Sequence, residues 1–374
     1  MLKSLLGGLT PAVFLREYWQ KRPLLIRNAI PEFAGSLNFA DMQTLARRDE
    51  VESRLIQGSG RHWQLEHGPF RKADFRRLPA TDWTLLIQSL DHWLPEAQAL
   101  LDHFNFIPHA RLDDLMVSYA APGGSVGPHF DSYDVFLLQG TGYRRWQVSA
   151  QTDLRLIDDA PLKILRRFKP EQEWLLGPGD MLYLPPHYAH HGVAEDICTT
   201  YSIGFRAPSA QELTHAFLEH LQDTLEIDGQ YADPNLRAQT HPAEISRAML
   251  KQIGSMLKRI RWNTADIAQF AGRYLTEPKP SVFFDAPAQA LSLSAFTMRA
   301  SRSGIALDLK TRMLFIGNTF FINGEAYSAT ADEAAKLKIL ADHRHLAQPT
   351  GKALMQDLYP WYQAGWIVFD ENQK

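Results

Sequence analysis

The sequence predicts an α+β chain in which a small antiparallel barrel is followed by helices and then by a second module of helices and a hairpin. Three observations lead to this prediction. Residues 116–205 hold short apolar runs separated by Gly and Pro turns. Residues 209–274 repeat apolar side chains at helical spacing, and residues 285–374 alternate helix-like and strand-like stretches. Short strands between turns are typical of a small barrel, whereas a repeat of about three to four residues is typical of an amphipathic helix.

Length and composition are those of an ordinary folded protein. The 374 residues suffice for about two to three domains, and 45% hydrophobic with 22% charged residues is typical of globular chains. The net charge of −3 argues against a broad basic surface, so no direct nucleic-acid partner is expected. No apolar run is long enough for a membrane span. Cys198 is the one cysteine, which fits a reducing, cytoplasmic location.

The N-terminal region is predicted to begin with a helix and a strand. Thr10 followed by a proline is the pattern of a helix start, and Pro23 ends that helix. The apolar residues 24–27 then predict a strand. Residues 39–48 and 83–104 are predicted to be helical.

The core of the barrel is predicted from turns and apolar runs around two histidine-containing segments. The Gly- and Pro-rich segment 121–128 brings the chain to His129, and residues 134–140 predict a strand that ends at a glycine. The turn 177–180 leads into an apolar strand, 181–184, which two prolines end. This order suits a small antiparallel barrel with metal ligands at its mouth.

The strongest chemical signal is a histidine and an aspartate two residues apart. His129 and Asp131 point to the same side if the chain is extended there. Such a pair is common by chance, but a second cluster of His187, His190 and His191 follows. Two histidines and one carboxylate form the facial triad that binds non-haem Fe(II). A 2-oxo acid and O2 can take the open positions of the ion, which predicts an oxygenase. The chemistry alone does not choose among the three later histidines.

Several segments resemble the JmjC-type 2-oxoglutarate oxygenases, above all their bacterial ribosomal oxygenase branch. The matching segments are 18–26, 112–116, 127–131, 133–136, 139–146, 179–191 and 201–208. The resemblance implies a double-stranded β-helix (cupin-like JmjC) barrel. It also implies Fe(II), 2-oxoglutarate and O2 as cofactors. The implied reaction is hydroxylation of an arginine Cβ atom in a large-subunit ribosomal protein (number sixteen).

The resemblance also selects one histidine to complete the triad. The family pattern Pro-x-x-x-x-His, counted from the first proline after the strand, ends on His190. It implies that His129, Asp131 and His190 hold the metal and are the catalytic centre, with His187 as the runner-up. His191 would point the other way in an extended segment.

A cation for the co-substrate is expected on the strand after the glycine turn. Many relatives place a lysine two residues after this glycine, and Arg144 stands there in this chain. Its guanidinium can pair with the far carboxylate of 2-oxoglutarate. Because strand neighbours face opposite sides, Arg144 or Arg145 is expected to be exposed. The resemblance implies that Thr200 adds a polar contact to the co-substrate.

The substrate pocket is expected on the strand 114–120, whose residues alternate in the manner of a half-buried strand. The resemblance implies that Asp114, Met116, Tyr133 and Ser202 grip the target side chain. A carboxylate can pair with a guanidinium, a methionine can line its aliphatic stem, and a tyrosine can stack on a planar cation. The alternative is a solvent carboxylate, a core methionine and an aromatic residue at the barrel rim.

Composition divides the chain into an oxygenase domain at 1–208, a helical region at 209–277 and a winged-helix-like domain at 278–374. The apolar stripes of the helical region pack either on the barrel or in a homodimer, and the resemblance favours the dimer. The last domain lacks a dense Lys/Arg face, which favours a protein-interaction or scaffolding role. Its predicted strands are 312–317, 319–323 and 366–369, and its predicted helices after the hairpin are 331–342 and 352–363.

Two alternatives to the ribosomal hydroxylase stay open on the sequence. One is a JmjC-type oxygenase or demethylase that acts on another protein or on RNA, because a carboxylate pocket does not separate arginine from methyl-lysine. The other is a cupin-like scaffold without catalysis. The full set of His129, Asp131, His190 and Arg144 favours an enzyme, since a scaffold has no need of it.

Overall fold

Strands dominate the first two hundred residues of the computed structural model, which describes residues 2–59 and 62–370. The elements of this part, in chain order, are α1 (Leu2–Leu5), α2 (Pro11–Glu17), β1 (Leu24–Ile26), α3 (Phe39–Leu45), β2 (Ser53–Ser59), β3 (His62–His67), α4 (Lys72–Phe75), β4 (Trp83–Ile87), α5 (Pro95–Leu101), β5 (Leu112–Ala120), β6 (Val135–Gln139), β7 (Arg144–Ser149), β8 (Gln172–Leu176), β9 (Met181–Leu184), β10 (Ala189–Ala194) and β11 (Cys198–Phe205).

These strands form two antiparallel sheets that face each other. The large sheet has the order β1-β9-β6-β11-β5-β4-β2-β3, and the small sheet has the order β10-β7-β8. Apolar side chains of both sheets fill the space between them: Val135, Leu137, Trp146, Val148, Leu176, Leu182 and Leu184. The other face of the large sheet is covered by the N-terminal helices, where Phe14 packs against Phe136 and Tyr183. The predicted antiparallel barrel is confirmed.

Helix α2 is built as its sequence predicts. The Thr10 side chain accepts a hydrogen bond from the Val13 amide, and a proline occupies the first helical position. Phe14 is fully buried against the large sheet. The predicted strand after Pro23 and the predicted helix that begins at Phe39 are also confirmed.

The predicted helix at 83–104 is wrong in its first part. Residues Trp83–Ile87 form the strand β4, which lies between β2 and β5 in the large sheet. All five residues are buried, because the strand is covered on both faces. A continuous apolar run of this kind carries no alternation, so its periodicity does not separate strand from helix. The helix that does form is the shorter α5.

Three helices follow the barrel: α6 (Ala210–Thr224), α7 (Arg247–Leu257) and α8 (Thr264–Thr276). Helix α6 packs on α8 through Phe217 and Phe270, whose ring centroids are 5.2 Å apart. Large apolar side chains on these helices remain exposed in the single chain, among them Leu218, Leu250, Leu257 and Ile267. The amphipathic helices predicted here are confirmed.

The C-terminal module has its own core around Phe296, Leu337 and Leu358. Its elements are α9 (Leu293–Ser303), β12 (Ile305–Leu307), β13 (Met313–Ile316), β14 (Thr319–Ile322), β15 (Glu325–Ser328), α10 (Ala331–His343), β16 (His345–Leu346), α11 (Lys352–Gln363) and β17 (Ile367–Phe369). One sheet has the order β16-β12-β17 and the other β13-β14-β15.

The predicted hairpin of this module has a third strand, β15, which the sequence analysis missed. Its four residues are half-buried or exposed and begin with a glutamate, so no apolar run indicates it. Helix α8 packs against the β13–β15 sheet, where the ring of Phe321 packs directly against Gly272. The domain limits at residues 208 and 277 stay a prediction. In the described part of the chain, no helix has the length and apolar character needed to cross a membrane.

Candidate active site

The structure brings three of the predicted residues together at the mouth of the barrel. One ligand atom each from His129, Asp131 and His190 lies within 4.8 Å of the other two. The closest approach between His190 and Asp131 is 3.6 Å, from Nε2 to Oδ2. Within residues 2–59 and 62–370, this is the one group of such side chains that could hold a metal ion.

Backbone pairing fixes the distance between the two histidines. His129 and His190 form a single antiparallel bridge, in which each amide donates to the carbonyl of the other at 2.9 and 2.8 Å. Beyond this bridge the His-x-Asp pair lies outside the regular strands, and the Asp131 carbonyl accepts from the amide of His187, in the loop before β10.

The ring nitrogens are arranged as a metal site requires. Nδ1 of His129 lies 2.9 Å from the Gly127 carbonyl, and Nδ1 of His190 lies 2.9 Å from the Tyr188 carbonyl. A carbonyl oxygen accepts, so Nδ1 carries the hydrogen and Nε2 is left with its lone pair for an ion. Bonds of this kind orient metal-binding histidines. Two imidazoles and one carboxylate fit Fe(II). Burial and the nearby His129 lower the pKa of His190 to about 4, so its ring is neutral near pH 7.

The other two histidines of the cluster lie outside this group. His187 is exposed and has a positive φ of 65°, and its ring packs against Phe130. His191 packs against Phe168, on the opposite side of β10 from His190. The geometry therefore brings His190 to the site, and neither of its neighbours.

Arg144 lies inside the barrel on β7, with only 3% of its surface exposed. Its Nη2 atom is 3.7 Å from the Cys198 sulfur, and its Nε has no hydrogen-bond partner among the described residues. A buried guanidinium without a carboxylate partner is costly, so this position is prepared for an anion. The adjacent Arg145 is exposed and pairs with Glu173 and Glu195, which agrees with the expectation that one of the two arginines faces solvent.

Thr200 is buried at the centre of β11, between β5 and β6. Its hydroxyl donates to the side-chain oxygen of Gln139 at 3.1 Å. Gln139 is fully buried and is a candidate site residue that the sequence analysis missed. The sequence does hold a signal for Gln139, because it is a polar side chain at the end of the apolar strand 134–140.

Asp114 is a buried carboxylate, which rules out the alternative of a solvent-exposed residue. Its Oδ2 atom accepts from Gln88 Nε2 at 2.7 Å, from the Ser89 amide at 3.1 Å and from the Ser89 hydroxyl at 2.8 Å. Its Oδ1 atom faces Gly204, where an added Cβ would lie 3.7 Å from Oδ1 and 3.9 Å from Tyr133 Cε2. One oxygen is thus saturated by the protein, while the other borders a space that it shares with Tyr133.

The remaining predicted pocket residues lie beside this space. Met116 and Ser202 are direct cross-strand partners on β5 and β11. Tyr133 is 40% exposed and lies at the rim. The Nη2 atom of Arg54 lies 3.9 Å from the Met116 sulfur and donates to the Gln88 side chain at 3.0 Å. Gln88, Ser89 and Arg54 were missed, because they lie on β2 and after β4 and the sequence holds no motif that links them to β5.

Protein-family models match both the barrel and the C-terminal module. The JmjC domain matches residues 99–213, and a ROXA-like winged helix matches residues 259–367. An AraC-like ligand binding domain matches residues 170–261, which include β8 to β11. The predicted barrel and winged-helix module are confirmed by these matches.

Two relatives cover much of the chain. The ribosomal protein uL16 3-hydroxylase of Escherichia coli is 33% identical over 317 residues, which are 83% of this chain and 84% of that protein. A probable ribosomal oxygenase of Haemophilus influenzae is 45% identical over 210 residues, which are 55% of this chain and 52% of that protein.

Solved structures show the same architecture along nearly the whole length. YcfD, a ribosomal oxygenase from Escherichia coli in complex with cobalt and 2-oxoglutarate, superposes with a TM-score of 0.83 at 30% identity. The match covers 97% of this chain and 98% of that one. The complex of YcfD with cobalt and succinic acid matches with a TM-score of 0.80 at 29% identity, over the same 97% and 98%.

Proposed function

Because the chain belongs to the bacterial ribosomal oxygenases of the JmjC family, we propose that it hydroxylates an arginine of the large-subunit ribosomal protein uL16 at Cβ. It is a 2-oxoglutarate-dependent dioxygenase that uses Fe(II) and 2-oxoglutarate. The relative from Escherichia coli is named for 3-hydroxylation of uL16, which supports the target. The observation that supports a cationic target side chain is the buried Asp114, with one oxygen saturated and the other beside Gly204 and Tyr133. The choice of arginine among cationic side chains follows from the family resemblance.

Three side chains would hold the metal. His129 and His190 would bind through Nε2, because each Nδ1–H is engaged by a backbone carbonyl. Asp131 would add one carboxylate oxygen. When bound, Fe(II) with 2-oxoglutarate and O2 supplies the oxidising power that hydroxylates an unactivated C–H bond. The protein contributes the positions of these three ligands.

Arg144 and Thr200 would bind the co-substrate. The guanidinium of Arg144 is buried and can take the far carboxylate of 2-oxoglutarate in a bidentate pair. Thr200 lies on β11, and its hydroxyl donates to Gln139 in the structure. Because a carboxylate only accepts, this hydroxyl would have to turn from Gln139 to the co-substrate in order to donate to it.

Four side chains would grip the substrate. The substrate guanidinium would donate to Oδ1 of Asp114, because Oδ2 already accepts three hydrogen bonds. Tyr133 would cover the planar cation from the rim, and Met116 and Ser202 would line the stem from the paired strands. A charge-assisted pair with a buried carboxylate is stronger than a neutral hydrogen bond, so this arrangement favours a cationic side chain.

The assembly is proposed to be a homodimer that works in the cytoplasm. Exposed apolar side chains on α6, α7 and α8 support the dimer, because a second copy would cover them. The single cysteine and the ribosomal target of the relatives support the cytoplasm. The winged-helix module is proposed to serve protein contacts.

The function is tested by mass spectrometry of uL16 after incubation with the protein, Fe(II), ascorbate and 2-oxoglutarate. A gain of one oxygen atom that the Asp131→Ala variant does not produce is the expected result. Turnover of 2-oxoglutarate without modified uL16 would discard the ribosomal target and keep the oxygenase.

A further inference from the structure

Strand β5, which carries Asp114, contains a β-bulge next to this residue. Asp114 pairs with Gly204 of β11, but the next pair in the ladder is Leu112 with Phe205. Asp113 is therefore an extra residue on β5 and has no paired residue on β11. A bulge bends its strand, re-aims the neighbouring side chain and leaves the extra residue without its ladder bond. The direction of Asp114 depends on this irregularity.

Arg312 of the C-terminal module caps the bulge. Its Nη1 atom donates to the Leu112 carbonyl at 2.9 Å, and its Nη2 atom donates to the carbonyl of Asp113. The same guanidinium lies 3.8 Å from the Asp113 carboxylate. The guanidinium is a planar fork whose fixed donors match two successive carbonyls, whereas the donors of a lysine ammonium rotate and have no fixed geometry.

Hydrogen bonds within the module hold Arg312, which lies just before β13. Its amide donates to the side-chain oxygen of Asn323 at 3.0 Å, and its carbonyl accepts from the Asn323 amide at 3.1 Å. The preceding Thr311 donates through its hydroxyl to the Trp366 carbonyl. Arg344 donates to the carbonyl of Thr311 at 3.0 Å. Arg312 therefore reaches the barrel from an anchored point of the module.

Further cations surround the bulge. Lys279, on the segment before the module, lies 3.3 Å from the Asp113 carboxylate, and Arg206 at the end of the barrel lies 3.4 Å from it. Burial raises the pKa of Asp113, but Lys279, Arg312 and Arg206 outweigh it and hold that pKa below its usual value. Asp113 is thus a fixed anion that ties three parts of the chain to one point of β5.

We propose that Arg312 is a positioning residue of the substrate pocket, and that the C-terminal module thereby forms part of the substrate site. The inference rests on the proposed function, in which Asp114 receives the substrate arginine. Gln88 and Ser89 hold the Asp114 carboxylate from the barrel, and Arg312 holds the backbone that carries it. Without Arg312 the bulge relaxes, and Oδ1 of Asp114 no longer faces the pocket.

The test compares Arg312→Ala and Arg312→Lys with a control, Arg302→Gln, in the full-length protein. Arg302 is exposed at the end of α9 in the same module. Three quantities are measured: hydrogen–deuterium exchange of the peptide that holds residues 112–118, the KM for uL16, and the affinity for cobalt(II) with 2-oxoglutarate. Thermal unfolding shows whether each variant is folded.

We expect Arg312→Ala to speed exchange in β5 and to raise the KM about tenfold or more, since hydrogen bonds that involve a charged group are lost. Arg312→Lys is expected to lie between Arg312→Ala and the wild type, and Arg302→Gln to match the wild type. Cobalt and 2-oxoglutarate affinity should stay within about twofold, because the metal site is on other strands.

Folded Arg312 variants with unchanged exchange in β5, or with an unchanged KM, would overturn the inference. An equal loss of cobalt and substrate affinity would also overturn it, because it would indicate general damage. If the wild-type protein leaves uL16 unmodified, the proposed function fails, and the exchange measurement by itself then decides whether Arg312 holds the bulge.

Discussion

At the residue scale, each proposed ligand histidine engages one ring nitrogen with a backbone carbonyl and leaves the other free for a metal ion. The carbonyls of Gly127 and Tyr188 take the Nδ1 hydrogens of His129 and His190, which fixes both tautomers. The sequence has three histidines within five residues, and their chemistry gives no reason to prefer one of them as the third metal ligand. The structure supplies that reason, because only His190 is bridged by its backbone to His129.

Replacing His190 should weaken metal binding strongly, whereas replacing His187 should leave it nearly unchanged. His190→Ala removes one of three protein ligands, so we expect cobalt(II) affinity to fall by at least about a hundredfold. His187→Ala removes an exposed ring that packs on Phe130 and should leave the affinity within about twofold of the wild type. Isothermal titration with cobalt(II) and 2-oxoglutarate measures both. Equal losses in the two variants would contradict the assignment of His190.

The charge of Asp114 can be removed with little change of shape. In Asp114→Asn the amide oxygen would take the place of Oδ2, which accepts from Gln88 and Ser89, and the NH2 group would face the substrate guanidinium. Because the charge-assisted pair is lost and two donors then face each other, the KM for uL16 should rise about tenfold to a hundredfold. Cobalt(II) and 2-oxoglutarate affinity should not change. Asp158→Asn is a matched control, because Asp158 is exposed and pairs only with Arg166 among the described residues. Steady-state kinetics of the two variants would contradict the pocket if their KM values agreed.

At the element scale, local signals in the sequence determined what could be predicted. The start of α2, the strands beside the histidines and the helices after the barrel all carry caps, turns or periodicity, which predict them. The sequence of β4 predicts a helix instead, because burial on both faces erases the alternation that indicates a strand. The bulge at Asp113 and the cradle of Gln88 and Ser89 depend on contacts between distant segments, which no local pattern encodes.

The burial of β4 leads to a stability prediction. Leu85 is fully buried at the centre of this strand, so Leu85→Ala should lower the free energy of unfolding by about 2–5 kcal/mol. Leu175→Ala, at a position 39% exposed on β8, should cost well under half as much. Urea unfolding followed by tryptophan fluorescence measures the difference. A small effect at Leu85 would contradict the place of β4 inside the large sheet.

At the scale of the whole molecule, the helices after the barrel are expected to join two copies. Leu250 and Leu257 on α7 are 57% and 60% exposed in the single chain. Leu250→Glu combined with Leu257→Glu would bury two charges in a dimer interface, so the doubly substituted protein should be a monomer. Light scattering after size-exclusion chromatography gives the mass. A wild-type monomer, or an unchanged dimer in the variant, would contradict this interface.

Also at the scale of the whole molecule, the winged-helix module contacts the barrel strand that carries Asp114. Its Arg312 donates to two backbone carbonyls of β5, and under the role proposed for Arg312 the module and the barrel share the substrate site. The sequence suggested a protein-contact role for this module because its surface lacks a dense basic face. The contact with β5 is internal, and composition alone gave no sign of it.

The most direct measurement is tandem mass spectrometry of uL16 treated with the wild-type protein, with the Asp131→Ala and Asp114→Asn variants in parallel. The predicted result is one added oxygen on the side chain of a single arginine, at Cβ. It should be absent with Asp131→Ala and strongly reduced with Asp114→Asn. Oxygen on a residue other than arginine, or no modified uL16 while 2-oxoglutarate is consumed, would contradict the account.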